Sequence, residues 1–183
     1  MAEIKVLIEG YTSSETKGHS CSTVVLVRDK GINMVVDPGT LPRQEILVKK
    51  LEEEGLNVND INVVFITHSH MDHYKNIGMF PKAKALDYWG WWEGDVWKEC
   101  SGKVTDSIRI IKTPGHNYDG VTLLVKTDKG TVAICGDVIW KENQPEKDKY
   151  ATDMEALKES RKKVRELADW IVPGHGKMFR VEK

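Results

Sequence analysis

The sequence predicts an α/β chain folded as a four-layer α/β/β/α sandwich with an internal pseudo-duplication. Two features lead there. Val-rich segments at 23–27 and 32–36 flank the turn Arg28-Asp29-Lys30-Gly31 and run into Asp37. Segments 121–125 and 132–135 repeat that plan around Thr127-Asp128-Lys129-Gly130 and run into Asp137. Each hairpin signal is followed by one amphipathic helical stretch, so each half reads as strands followed by a helix.

In chain order, residues 5–9 form a short apolar strand, and 23–27 with 32–36 form the first hairpin. Pro42 opens a helix with Ile46, Leu47 and Leu51 on one side and Gly55 as its stop. Residues 63–67 are continuously apolar, the mark of a buried strand. A strand at 108–111 precedes the second hairpin. The second helix covers 153–168, with Leu157, Val164 and Leu167 on one face. A strand at 170–172 and a segment at 178–181 close the chain.

A chain of 183 residues with no linker or low-complexity stretch reads as one domain, 1–183. Lys+Arg is 27 against Asp+Glu 28, a net charge of −1, which excludes a strongly basic nucleic-acid-coating protein. No apolar run approaches the roughly 20 residues of a membrane span, and the first residues show no charged segment leading into an apolar one. Cys21, Cys100 and Cys135 are far apart and odd in number, as suits reduced thiols. A cytoplasmic protein is expected.

The chemistry concentrates in Thr67-His68-Ser69-His70-Met71-Asp72-His73, which holds three of the six histidines directly after a strand. Residues two apart in an extended chain share a side, so His68 and His70 address one metal together. A turn after His70 brings Asp72 and His73 to a second position. His116 in Pro114-Gly115-His116, Asp137 after Cys135-Gly136, and His175 in Gly174-His175-Gly176 each sit at a glycine-flanked strand end. Imidazole with carboxylate suits zinc, with iron or manganese as alternatives. Taken together, these residues suffice for two divalent metals. His19, the remaining histidine, reads as surface. The chain contains no Walker A loop, Gly-x-Ser-x-Gly elbow or dinucleotide fingerprint.

His-x-His-x-Asp-His, then Gly-His, Gly-Asp and Gly-His-Gly, together resemble the metallo-β-lactamase superfamily. Segments 67–80, 113–125 and 160–181 resemble its small stand-alone members of the metallo-β-lactamase domain-containing protein 1 type. That resemblance implies a metallo-β-lactamase-like sandwich in which His68, His70 and His116 bind one metal, Asp72, His73 and His175 bind a second, and Asp137 bridges them. It also implies that Asp37 orients a ligand without touching metal, and that Asp72 is catalytic, orienting a metal-bridging hydroxide and taking its proton.

The implied activity is hydrolysis of an ester, thioester, lactone or phosphodiester, with a small molecule or RNA as substrate. His73 stands where antibiotic-hydrolysing members usually carry Arg or Lys, which disfavours a β-lactamase. A rival reading is an oxidoreductase, a persulfide dioxygenase with one iron at His68, His116 and Asp137. Four of the six tryptophans lie at 89–97. Trp89, Trp91 and Trp92 are candidates for an aromatic wall beside the metals, the alternatives being a core cluster or a subunit interface in a homo-oligomer. No membrane partner is expected.

Overall fold

Central strands buried on both faces decide the architecture. The computed structural model describes residues 1–143 and 146–182. Its first sheet holds β1 (Glu3–Ile8), β2 (Val24–Asp29), β3 (Ile32–Val36), β4 (Val63–Phe65), β5 (Lys84–Leu86), β6 (Trp91–Glu93) and β7 (Val96–Lys98), in that spatial order. The second holds β8 (Ile108–Lys112), β9 (Val121–Thr127), β10 (Gly130–Ile134), β11 (Trp170–Val172) and β12 (Phe179–Arg180), ordered β12-β11-β10-β9-β8. Helices α1 (Glu45–Glu53) and α2 (Met71–Tyr74) follow β3 and β4, and α3 (Met154–Leu167) follows β10.

Successive strand residues face opposite sides, and here both sides are apolar. Val25, Val27, Met34, Val36 and Phe65 meet Leu123, Val125, Val132 and Ile134 between the sheets. Their neighbours Val24, Leu26, Val35 and Val64 pack outward with Leu47 and Leu51 of α1. On the far face, Leu124, Ala133 and Ile171 pack with Leu157 and Val164 of α3. Three apolar layers separate four structural ones, the expected α/β/β/α sandwich.

The repeat is equally plain. β2 and β3 pair antiparallel, then β3 pairs parallel with β4. β9 and β10 pair antiparallel, then β10 pairs parallel with β11. Registers Val36↔Phe65 and Ile134↔Val172 bring the chain out of each parallel pair side by side. Asp37 and His68 therefore leave one pair together, and Asp137 and His175 leave the other.

Two expectations needed correction. Leu167 is exposed, and Ala168 is buried in its place. At 3.6 residues per turn Leu167 lies about 80° round the helix from Leu157, and Ala168 about 20°. The tryptophan segment forms β6 and β7, which extend the first sheet at its edge. Trp91 packs against the inter-sheet core, while Trp89, Trp92 and Trp97 are exposed.

Candidate metal centre

Asp37 is the first residue past β3 and adopts φ +47°, an uncommon conformation for a non-glycine residue. Residues 68–73 run from the end of β4 into α2, so the turn after His70 is the start of a helix. Asp137 sits in the 3-10 turn Gly136–Val138, and His175 follows β11 by three residues. His68, His73, His116, His175, Asp37 and Asp137 are buried; His70 and Asp72 are half-buried. His19 is exposed.

The seven expected donors separate into two groups. One nitrogen or oxygen from each of His68, His70, His116 and Asp137 lies within 4.8 Å of the others, and Asp72, His73 and His175 form a second such group. In the first group His70 Nδ1 lies 2.9 Å from His68 Nε2 and 3.0 Å from His116 Nε2. Asp137 spans both groups. Its Oδ2 is 3.4 Å from His116 Nε2, while its Oδ1 is 3.2 Å from His73 Nε2 and 3.3 Å from His175 Nε2.

The far nitrogens explain why these ones face inward. Thr67 Oγ1 has one hydrogen, and it lies 2.7 Å from Asp37 Oδ2, which can only accept. His68 Nδ1, 3.1 Å from the same hydroxyl, must therefore donate to it. His73 Nδ1 donates to Asp37 Oδ2 at 2.8 Å, and Thr67 N donates to Asp37 Oδ1 at 2.8 Å. His116 Nδ1 donates to Asp148 Oδ2 at 2.6 Å, and His175 Nδ1 to the Cys21 carbonyl at 2.9 Å. Four rings thus hold a proton on Nδ1 and turn Nε2 inward, the arrangement in which an outer hydrogen bond fixes a ligand's tautomer.

Two glycines make room for this. Gly136 has φ +50°, and a Cβ there would strike the Thr67 hydroxyl. A Cβ on Gly174 would fall on Asp137 Oδ1.

Charge distinguishes the two groups. Burial, reinforced by the neighbouring His73, holds His68 well below the usual imidazole range; burial and His116 lower His70. Burial also opposes charge on His73, but the carboxylates of Asp137 and Asp37 override it and raise His73 well above that range. His175 is raised against burial chiefly by Asp137. Asp137 is lowered by His73 and His175, again against burial.

His73 Nε2 and Asp137 Oδ1 are fully buried, yet neither makes a hydrogen bond among the described residues. Buried polar atoms are rarely left so. Inward-facing imidazole nitrogens and a carboxylate converging in two groups, with orphaned atoms between them, fit divalent cations.

A cavity of about 420 Å³ opens in front of these donors. His70, Asp72, His116, Asp137 and His175 form its floor, and Ser20 Oγ donates to Asp72 Oδ2 at 2.5 Å. The aromatic wall is Trp140 and Tyr150; Trp89, Trp91 and Trp92 do not line it. Their hairpin lies at the sheet's margin, so the expectation that they wall the metals is corrected. Thr67, Asp148, Ser20, Trp140 and Tyr150 escaped sequence reasoning. Thr67 adjoins the histidine motif and could have been suspected; Asp148 carries no local signal.

Comparison with known proteins identifies the family. A family model described as the metallo-beta-lactamase superfamily matches residues 18–97. A Methanocaldococcus jannaschii protein named "probable metallo-hydrolase" is 31% identical over 82% of this chain and 74% of its own length. The chain belongs to the metallo-β-lactamase superfamily. Metallo-beta-lactamase domain-containing protein 1 of Xenopus laevis is 28% identical over 98% of the chain and 82% of its own length. The human protein of that name is 32% identical, and the chain spans 59% of its length. A Thermotoga maritima crystal structure, named as a metallo-β-lactamase candidate, shares the fold at a TM-score of 0.77 and 24% identity, covering 98% of this chain and 99% of that one.

Proposed function

We propose that this metallo-hydrolase works with two divalent metal ions, zinc by the chemistry of the donors, in the cytoplasm. The observation that carries the reading is Asp137, whose two oxygens face two separate donor groups. His68 Nε2, His70 Nδ1, His116 Nε2 and Asp137 Oδ2 would hold one ion. Asp72, His73 Nε2, His175 Nε2 and Asp137 Oδ1 would hold the other. Two such ions, when bound, polarise a carbonyl or phosphoryl oxygen and lower the pKa of water toward neutrality.

The remaining work falls to the chain. Ser20 Oγ fixes one oxygen of Asp72, leaving the carboxylate at the cavity floor to orient the attacking water and take its proton. Asp37 and Thr67 keep His68 and His73 turned inward. The substrate is an ester, thioester, lactone or phosphodiester. A mononuclear dioxygenase would leave Asp72, His73 and His175 without a role, and no observation favours it.

The test is elemental analysis of purified protein with hydrolysis assays on thioesters, lactones, phosphodiesters and RNA. About two zinc per chain with turnover of one of these classes is the expected result. One iron per chain with oxygen consumption on a persulfide overturns the reading.

A further inference from the structure

Two loops wall the cavity in front of the donors, and neither belongs to a metal-binding motif. Thr12, Ser13, Ser14 and Ser20 line one side; Trp140, Lys149 and Tyr150 line the other. An ion pair between Lys141 and Glu15 clasps the two loops together.

The second wall is fixed to the donors. Asp148 is buried, and while its Oδ2 holds His116 Nδ1, its Oδ1 accepts the Tyr150 backbone N–H at 2.8 Å. Tyr150 stacks on Trp140 with centroids 5.6 Å apart and planes 24° apart. The Trp140 ring stands 5.8 Å from that of His116. Lys149 Nζ lies 4.7 Å from the Tyr150 centroid. One carboxylate therefore sets a metal donor, an aromatic face and an ammonium in fixed relation.

Charge in the cavity is lopsided. Lys149 is the sole Lys or Arg among the lining residues, and it makes no ion pair among the described residues. The lining carboxylates, Asp72 and Asp137, are committed to the donor groups. An unpaired ammonium at the mouth of a partly enclosed site attracts and orients anions. The hydroxyls opposite supply neutral hydrogen bonds.

The geometry points to a small anionic substrate. It is an ester, thioester or lactone bearing a carboxylate or phosphate that binds Lys149, with a flat or hydrocarbon portion lying on Trp140 and Tyr150. This rests on the hydrolase reading above. A cavity of about 420 Å³ suits a small molecule. Nucleic acid needs several cationic contacts along its backbone, and this wall offers one. In the reaction, water oxygen bonds to the acyl carbon as the bond to the leaving oxygen or sulfur breaks. One water proton goes to the leaving group and the other is released with the product acid.

The test pairs two esters with a common leaving group, 4-nitrophenyl succinate (anionic) and 4-nitrophenyl butyrate (neutral), on zinc-loaded protein. Calorimetric titration with 3-phenylpropionate and 3-phenylpropanamide supplies a second readout independent of turnover. Wild type should favour the succinate ester at least tenfold in kcat/KM and bind the carboxylate more tightly than the amide. Lys149→Met should erase most of that ratio through KM, and weaken 3-phenylpropionate about tenfold, at unchanged zinc content. Tyr150→Ala should weaken acid and amide alike, and the control Lys126→Met should leave the ratio unaltered.

Equal turnover of both esters, or a ratio indifferent to Lys149→Met, overturns the inference and leaves the hydrolase standing. Hydrolysis of neither ester, with Lys149-dependent binding of 3-phenylpropionate intact, supports the wall and counts against the hydrolase. A short single-stranded RNA that binds more tightly than 3-phenylpropionate, and through Lys149, overturns the small-molecule assignment.

Discussion

Asp37→Asn tests the deepest claim about the metal centre, that one carboxylate fixes the tautomers of histidines in both donor groups. Asp37 accepts from Thr67 N, Thr67 Oγ1 and His73 Nδ1 at 2.7 to 2.8 Å. The amide keeps the shape and tolerates the positive φ, so the fold should survive. Its Oδ1 can still accept Thr67 N–H. Its NH₂ then faces His73 Nδ1 and Thr67 Oγ1, and it can only donate. The relay reverses: His73 accepts on Nδ1 and carries its proton on Nε2, while Thr67 turns its hydrogen toward His68 Nδ1, with the same result there.

Loss of a ligand's outer hydrogen bond typically lowers metal affinity 10–100-fold. Two affected sites give a combined loss of about 10²–10⁴, or roughly 2.7–5.4 kcal/mol at 1.36 per decade. The missing charge also lets His73 shed its proton more easily, which favours metal. That effect is the smaller, because Asp137 contributes more than Asp37 to holding the proton. Thr67→Val separates the arms: it removes the acceptor for His68 but leaves Asp37 bound to Thr67 N and His73. It should weaken the first zinc and spare the second. Competition with a zinc chelator reads both affinities. Two zinc ions held by the Asp37→Asn protein within threefold of wild type would refute the relay.

Four other outcomes follow from the structure. Filling the second group must expel protons from His73 and His175, both raised, whereas His68 and His70 are already lowered; zinc calorimetry in buffers of different ionisation enthalpy should show more proton release on filling that group, and an affinity there that climbs more steeply with pH. In the metal-free protein the sign is opposite. The raised histidines stabilise most fully below their unfolded value near 6.5 and lose this as pH rises through their folded values, while the lowered Asp137 loses its contribution in acid. A melting temperature of metal-free protein that rises steadily from pH 6 to 9 contradicts this. Gly174→Ala places a methyl on Asp137 Oδ1 and within 3.0 Å of the Gly136 backbone; both metals should be lost, with overpacking costing about 1–3 kcal/mol in denaturant titration. Retention of two metals by that variant would show that Asp137 does not bridge. Trp91→Ala should lower stability, since the ring packs on the inter-sheet core, and leave KM for any substrate unchanged; a shifted KM would restore the tryptophans to the pocket.

What the sequence disclosed was whatever short-range pattern controls. Apolar runs and turn residues located β3 and β11 to the residue, and the spacing of His68, His70, Asp72 and His73 announced the candidate donors because the loop that presents them is continuous. Contacts between distant segments were another matter. Asp148 reaches His116 across 32 residues and Tyr150 meets Trp140 through ring stacking, and neither leaves a local trace. The tryptophan segment misled for a related reason. Density of aromatic residues reports that a surface must be covered or a strand edge filled, but it does not say which way the strand runs. β5 pairs parallel with β4 and antiparallel with β6, so the chain turns back at Asp87 to Gly90 and carries the rings along the sheet's margin. Among the candidate donors, His68, His116, Asp137 and His175 sit just past strand ends, and Asp72 and His73 lie in the short helix α2. The substrate wall hangs instead on one buried carboxylate in a loop. Donor positions are therefore tied to the fold's repeat, whereas Trp140, Lys149 and Tyr150 can be exchanged as long as Asp148, which holds His116, is kept. Specificity in this protein should accordingly respond to changes at Trp140, Lys149 and Tyr150 that leave the strands, Asp148 and the candidate donors untouched.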